Sequence, residues 1–490
     1  MKKQLLFVCL IALAIFNSCQ NPGGNNTNSS NTAKPAATTP PPALPATGTQ
    51  SDYKKDSIMF RTIANEILLH GKCYSYLDYL CNKIGGRLTG SPQAAAAVEY
   101  TYQLMETIGA DTVFKQECMV PHWVRGAKET AKILTNESGE YAVNICALGR
   151  SVGTPVGGIT ANVIEVDSVA ALKHLGKAGI QGKIVFFNGP FDETEIQTFH
   201  AYGKAVVQRW AGPSEAAKYG AIGTVVRSMT NTLDDNPHTG AMQYNDSFPK
   251  VPCCAISTIG AELLAKQLKL DPKIRFHFEM ACQTLPDEKS YNVVGEIRGS
   301  EHPDEYITIG GHLDSWDLAQ GAQDDGAGIV QTLEVMRTFR VLAIKPKRSI
   351  RFVMFMNEEN GERGGLKYAE LAKAHHEKQI AAIESDAGGY TPRGFGLGGT
   401  PEQKKKIQSW QPLFLPYGIY DFSGGGGGSD IEPMQDMGTV MIGLMPDSQR
   451  YFDIHHTPAD TFDKVNKREL ELGAAGMTML AYMLAEYGVN

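Results

Sequence analysis

Basic blocks, zinc-ribbon cysteines and membrane-length apolar runs are all missing from this 490-residue sequence. The formal net charge is -7, and no basic block exceeds the short "EQKKK" at 402–406, which argues against nucleic acid as a main partner. Nine cysteines are present, yet no spacing among them matches a zinc ribbon. The apolar run Leu5–Phe16 holds twelve residues, whereas a bilayer-spanning helix needs about 20. What the sequence does have is a globular composition, 42% hydrophobic and 20% charged. Its length suits one large domain with an insertion, or two to three ordinary domains.

Lys2 and Lys3 precede the apolar run, so residues 1–19 read as a secretory signal. The run ends in "NSC", which resembles a bacterial lipoprotein signal with Cys19 as the lipidated N-terminus. Residues 20–56, rich in Asn, Thr, Ser, Pro and Gly, cannot bury a core and read as a disordered tether. The protein is therefore expected to be exported to a bacterial cell envelope, periplasmic or surface, and held to the membrane through the lipid only. Setting aside Cys9 and Cys19, seven cysteines remain, so at least one thiol is unpaired within the monomer.

Helical spacing begins near residue 57. "SPQAAAAVEYTYQLMETIGA" predicts a helix capped by Ser91, with Pro92 in its first turn and Gly109 at its end. From about 126 to 285 the texture becomes short strands punctuated by Gly and Pro, in "GKIVFFNGP", "AAKYGAIGTVVRS" and "VPCCAISTIGAELLAKQL". That order resembles the protease-associated domain inserted in several peptidases, read as a lid or gate or as a structural insertion. From 286 to 490 the pattern is α/β. Strands apolar throughout, "YITIGG", "SIRFVMFM", "IAAIES" and "TVMIGLM", alternate with helices such as "GAGIVQTLEVMRTF". This predicts a mixed, mostly parallel sheet covered by helices on both faces, with residues 57–125 completing the same domain.

Parallel sheets carry their sites beyond the C-terminal ends of their strands. His312 follows "YITIGG", Glu358 and Glu359 follow "SIRFVMFMN", Asp386 follows "IAAIES", and His455 and His456 follow "TVMIGLMPDSQRYFDI". Asp324 and Asp325 sit in the loop after the first of these strands. Singly, each has a plainer explanation as a helix cap, a solvated turn or a surface residue. Together they would bury several carboxylates at one sheet edge, which is prohibitive without cations. Two imidazoles, three carboxylates and no thiolate suit zinc in a hydrolytic site.

The blocks "GGHLDSWD…GAQDDGAG", "NEENGERGG", "ESDAGG" and "HHTPADT" resemble the two-zinc exopeptidase family of bacterial secreted aminopeptidases, nearest its carboxypeptidase Q members, over about 57–490. The resemblance implies two zinc ions per chain, held by His312, Asp324 as the bridge, Glu359, Asp386 and His456. It implies Glu358 as general base, Asp314 as the residue orienting His312, and a cis peptide between Asp324 and Asp325. Some relatives have a tyrosine that steadies the oxyanion just before the last histidine; here that position is His455. A Gly-rich stretch beside the substrate pocket of relatives makes Ser429 and Asp430 candidates for gripping a substrate end.

The implied activity is hydrolysis of terminal peptide bonds in short peptides or dipeptides, as a carboxypeptidase or dipeptidase, with an aminopeptidase acting on free N-termini as the alternative. A carboxypeptidase needs Arg or Lys for the substrate carboxylate, and Arg87, Arg363 and Arg450 are available; Asp430 and Asp447 are acidic groups for an ammonium. A non-catalytic binding ectodomain and a glutaminyl cyclase-type transferase resemble the same fold, but the full two-metal set disfavours both. A homodimer is left open.

Overall fold

The computed structural model describes residues 50–489 apart from 137 and 138. The signal, Cys19 and most of the expected tether lie outside the described residues. The first helix, Gln50–His70, begins within the segment expected to be tether. That expectation failed because "GTQSDYKKDS" is polar, and what holds the helix is a long-range contact. Asp56, buried, accepts hydrogen bonds from the hydroxyls of Tyr482 at 3.0 Å and Tyr487 at 2.8 Å.

Seven strands form the main sheet, in the spatial order Thr112–Val124, Gln283–Ile297, Arg348–Phe355, His302–His312, Lys378–Glu384, Val440–Pro446 and Pro392–Leu397. The four strands from Arg348–Phe355 to Val440–Pro446 run parallel, and antiparallel strands flank them on both sides. Along Arg348–Phe355 the side chains alternate between two cores. Ile350, Phe352 and Met354 join the larger cluster, under the helices Ala327–Val341 and Lys467–Tyr487. Val353 and Phe355 join a smaller one, under the helix Arg363–Ala374. Burial on both faces explains why these strands are apolar at every position. The helix Pro92–Ile108 starts where the sequence predicts: the Ser91 side chain accepts from Ala94 N–H, and Gly109 closes it in the left-handed conformation at φ 95°.

A second sheet of eight strands lies between Thr130 and Glu279, in the order Glu140–Ala142, Thr130–Leu134, Arg275–Glu279, Ile159–Val166, Ile184–Phe187, Gly223–Arg227, Cys253–Ile256 and Ile145–Ala147. The long ribbon formed by Thr112–Val124 and Gln283–Ile297 carries the chain out to it and back. One apolar cluster spans both parts, joining Phe191, Ala201 and Met242 of the insert to Tyr390, Tyr451 and Phe452 of the main domain. No helix among the described residues is long and apolar enough to cross a membrane.

All seven described cysteines are buried free thiols. Burial pushes Cys81 and Cys118 up to about 12, which leaves almost no thiolate at neutral pH. Folded protein lacking its first nineteen residues should leave all seven thiols unreacted with an aromatic disulfide reagent at pH 8, and unfolded protein should titrate seven. Several equivalents reacting at once in the folded state would show that the thiol environments are open.

Candidate metal centre

The parallel strands end along one edge of the sheet, and the site is built on that edge. His312 is the last residue of its strand, in register with Phe355 of the neighbour. Glu358 and Glu359 come just after that neighbour, past Asn357, whose left-handed φ of 77° turns the chain. Asp386 lies two residues beyond Lys378–Glu384. His455 and His456 follow the short helix Tyr451–Ile454, and His456 also has a left-handed φ, 61°.

Asp324 stands in the middle. Its Oδ1 lies 3.1 Å from Nε2 of His312, and its Oδ2 lies 3.1 Å from Nε2 of His456. On the first side, His312 Nε2 is 3.4 Å from Asp386 Oδ1. On the second, His456 Nε2 is 3.2 Å from Glu359 Oε2. The peptide joining Asp324 to Asp325 is cis. Potential ligand atoms gather in three overlapping groups: His312, Asp324 and Glu359; Asp324, His455 and His456; His312, Asp325 and Asp386. Two buried oxygens, Asp324 Oδ2 and Asp386 Oδ1, face only the ring nitrogens of His456 and His312, in a geometry that makes no hydrogen bond among the described residues. Unpartnered buried carboxylate oxygens cost several kcal/mol each unless a cation meets them. The donor set therefore fits metal.

The neighbours of these groups hold them in place. Glu359 Oε1 accepts from Trp316 N–H at 3.1 Å. Asp460 accepts from the backbone N–H groups of Gln323 and Asp324, at 2.8 and 3.2 Å, and so fixes the loop that presents Asp324. Asp325 ties the end of the His312 strand to the next helix, accepting from His312 N–H at 3.1 Å and Gly328 N–H at 2.9 Å. Asp317 pairs with Arg125 at 2.7 Å, and Arg125 also reaches Glu129 and the Ala147 carbonyl in the insert. Asp325 and Asp317, left without a role by the sequence, thus have structural ones.

Asp314 departs from its expected contact. His312 Nδ1 lies 3.0 Å from the Asp314 backbone carbonyl, while the Asp314 carboxylate is 3.9 Å away. That carboxylate instead accepts from Asn357 N–H at 2.7 Å and Glu358 N–H at 3.1 Å. It secures the turn that carries both glutamates, and the carbonyl two residues past His312 orients the ring. Asp430 also departs. It is fully buried, both carboxylate oxygens lack hydrogen-bond partners among the described residues, and it lines neither cavity around the site. A substrate-gripping role for Asp430 is therefore withdrawn; the Gly-rich loop folds it inward, beside buried Glu384. Ser429, its neighbour, does line both cavities.

A cavity of about 280 Å³ opens over Asp324, Glu358, Glu359, Asp386, His455 and His456. His455 stacks on His456 at 3.5 Å between ring centroids, and its Nε2 is 3.7 Å from Asp324 Oδ2. Three contributors carried no sequence signal. Tyr451 and Arg209 line this cavity. Thr239, from the insert, grips His456 twice: its N–H donates to the His456 carbonyl at 2.9 Å, and its own carbonyl lies 3.3 Å from Nδ1. "QRW" and "HTG" lie among unremarkable loop and helix residues, and only the fold brings them to the candidate ligands.

Without metal, protons do part of the cation's work. Burial, reinforced by Asp324, lifts Glu359 to about 8. Burial lifts Asp460 to about 7 and Asp386 to about 6. Burial opposes charge on His456, but Glu359 and Asp324 outweigh it and raise the ring to about 10. Through these four groups the metal-free fold binds more protons than the unfolded chain; Asp324, held low by His312 and His456 against its burial, and His238 and His455, lowered by burial, act in the opposite sense, chiefly below neutral pH. The stabilisation from the four is complete below the ordinary values and is lost as pH rises through the folded ones. Chelated protein should therefore lose on the order of several kcal/mol of stability between pH 6 and 9, and added divalent metal should remove most of that slope. Thermal melting across that range, with and without chelator, is the check; parallel curves would contradict it.

Similarity to known proteins bears on this site. The profile of Peptidase family M28 matches residues 292–483, the stretch that contains every candidate ligand. Carboxypeptidase Q of Mus musculus is 33% identical over 445 residues, covering 89% of this chain and 92% of its own. A crystal structure of a peptidase M28 precursor from Shewanella amazonensis SB2B superposes with a TM-score of 0.84 at 30% identity, over 89% of this chain and 98% of that one. An aminopeptidase from Aneurinibacillus sp. strain AM-1 shares the fold, with a TM-score of 0.60 at 22% identity over 87% of this chain and 96% of its own.

Proposed function

The chain belongs to peptidase family M28, and from that premise we propose how its site works. It is a metallo-exopeptidase that acts on peptides. We read its substrates as short peptides or dipeptides cleaved at a terminal bond. The observation that carries the reading is Asp324, one oxygen toward His312 and the other toward His456, with Asp386 and Glu359 completing the two sides. Two imidazoles and three carboxylates without thiolate fit zinc, and His312, Asp324, Glu359, Asp386 and His456 are the residues that would hold a pair of such ions. Zinc bound there supplies Lewis acidity and lowers the pKa of a bound water from about 15.7 to about 7.

The rest falls to the chain's own residues. Glu358, half-buried, lines the cavity and makes no side-chain hydrogen bond or ion pair among the described residues, which leaves its carboxylate available to take a proton from the attacking water. It then returns the proton to the leaving nitrogen. Asp314 holds the backbone N–H of Glu358 and so aims that carboxylate. His455, kept neutral by burial beside His456, is placed to steady charge on the scissile carbonyl oxygen, and Ser429 is placed to touch the substrate. The insert, read as a protease-associated domain, supplies one wall of the cavity through Phe199, Tyr202, Arg209 and Trp210. Export and lipid anchoring at Cys19 remain part of the reading, supported by the N-terminal sequence.

A second reading, aminopeptidase action, has its own support. The adjoining cavity of about 490 Å³, floored by the Gly-rich loop, is lined by Glu384, Asp386 and Asp421, acids of the kind that hold a substrate ammonium.

Glu358 and Glu359 are neighbours with different jobs, and paired variants separate them. Glu358→Gln should lower kcat by about 10²–10⁴-fold while retaining bound zinc. Glu359→Gln should lose zinc first and recover partly when zinc is added. Turnover and zinc stoichiometry, measured together over a range of free zinc, test this. If Glu358→Gln is the variant that loses metal, the roles are exchanged.

A further inference from the structure

The two sides of the site are held by different parts of the chain. On the first side, His312 Nδ1 meets the Asp314 carbonyl, His312 N–H meets Asp325, and Asp386 follows its own strand. All of these belong to the main domain. Among the described residues, no hydrogen bond or ion pair joins the insert to His312 or Asp386. On the second side, the Thr239 grip on His456 comes from the insert. Glu359 is held by Trp316 N–H, and the insert presses on Trp316 as well. The Trp316 ring lies edge-on to His456 at 5.8 Å between centroids, and a Cβ at Gly149 would come within 1.8 Å of its Cη2.

One buried side chain ties these two grips together. Arg125 directly follows the strand Thr112–Val124, where the chain leaves for the second sheet. Its Nε and Nη2 donate to the two carboxylate oxygens of Asp317, beside Trp316, at 2.9 and 2.7 Å. Its Nη1 donates to Glu129 at 3.0 Å and to the Ala147 carbonyl at 2.8 Å. Nη2 also lies 3.5 Å from Thr239 Oγ1, and that hydroxyl donates to the same Ala147 carbonyl at 2.8 Å. A guanidinium presents its donors in a rigid fork, so these partners cannot shift independently. A file of rings runs the same way: Arg125 Cζ lies 5.1 Å from the Trp123 ring, Trp123 meets Trp316 at 6.3 Å, and Trp316 meets His456. Arg125 itself makes no hydrogen bond to a candidate ligand.

We propose that Arg125 is a positioning residue of the metal centre, which makes metal binding on the Glu359–His456 side depend on the docked insert and leaves the His312–Asp386 side independent of it. Groups that orient metal ligands typically set affinity by about 10–100-fold. Arg125 works at one remove, through Asp317 and Trp316 to Glu359 and through Thr239 to His456, and so acts on both ligands of one side at once. The insert then contributes to the centre without placing a ligand in it, and the two sides fill unequally when it is disturbed.

The proposal rests on the two-ion reading, and counting zinc keeps the two apart. Zinc-depleted wild type, Arg125→Met and Arg125→Lys are titrated with zinc against a chromophoric chelator, with circular dichroism to confirm folding. Wild type should take up two zincs. Arg125→Met should keep one at wild-type affinity and hold the other about 10- to 100-fold more weakly. Arg125→Lys, which keeps the charge but not the fork, should fall between. Combined variants identify the side: Arg125→Met should cost the remaining zinc little in Glu359→Gln and its full effect in Asp386→Asn. If Arg125→Met does not fold, because Glu129 loses its partner, Asp317→Asn loosens the same tie from the other end and carries the same prediction. A folded variant that weakens both zincs equally, or neither, would overturn the proposal and leave the two-ion reading standing. So would the reverse pattern in the combined variants. Wild type that binds fewer than two zincs would overturn that reading, and the proposal with it.

Discussion

Like charges crowded where water is excluded set the terms for this structure. Asp324, Glu359 and Asp386 reach the same few ångströms because three parallel strands end together, and Glu358 and Asp314 stand close behind. Nothing in the apolar sheet beneath could offset that repulsion, and the imidazoles of His312 and His456 meet only part of it. Cations must do the rest. The surrounding scaffold serves this arrangement, with Asp460, Asp325, Trp316 and the Asp314 carbonyl each fixing one ligand or the loop that carries it.

Much of this was legible from residue order. Strands buried on both faces are apolar throughout, and acids and histidines placed just past them identify the working edge of the sheet. Helix ends at Ser91 and Gly109 were equally readable, because capping is local chemistry. The antiparallel flanks of the sheet were not, since strand direction depends on pairing partners far along the chain. Nor was the helix starting at Gln50, which is secured by Tyr482 and Tyr487 more than four hundred positions away.

The site shows the same division at finer scale. Residue types and their places past the strands pointed to acids and histidines at one sheet edge, the resemblance singled out His312, Asp324, Glu359, Asp386 and His456, and the fold brings these together with Asp325 and His455. Asp314 was identified as a neighbour, but its backbone and its side chain turned out to do separate jobs. Asp430 was a candidate because relatives carry a Gly-rich stretch beside the substrate pocket, yet here the end of that loop is buried. Arg209 and Thr239 were invisible, since a cavity wall, or a carbonyl opposite an imidazole, exists only in three dimensions.

The double grip of Thr239 on His456 has a mechanical consequence. An insert reading as a lid suggests a flap that swings clear to admit substrate. Here such a swing would drag on a histidine facing Asp324 and Glu359, and would also part Arg125 from Glu129 and the Ala147 carbonyl and open the apolar seam around Phe452. The insert is thereby bolted to the chemistry it overlooks. The cavity beside the Gly-rich loop adjoins the site without involving this grip, and any breathing of the second sheet would be felt first at His456.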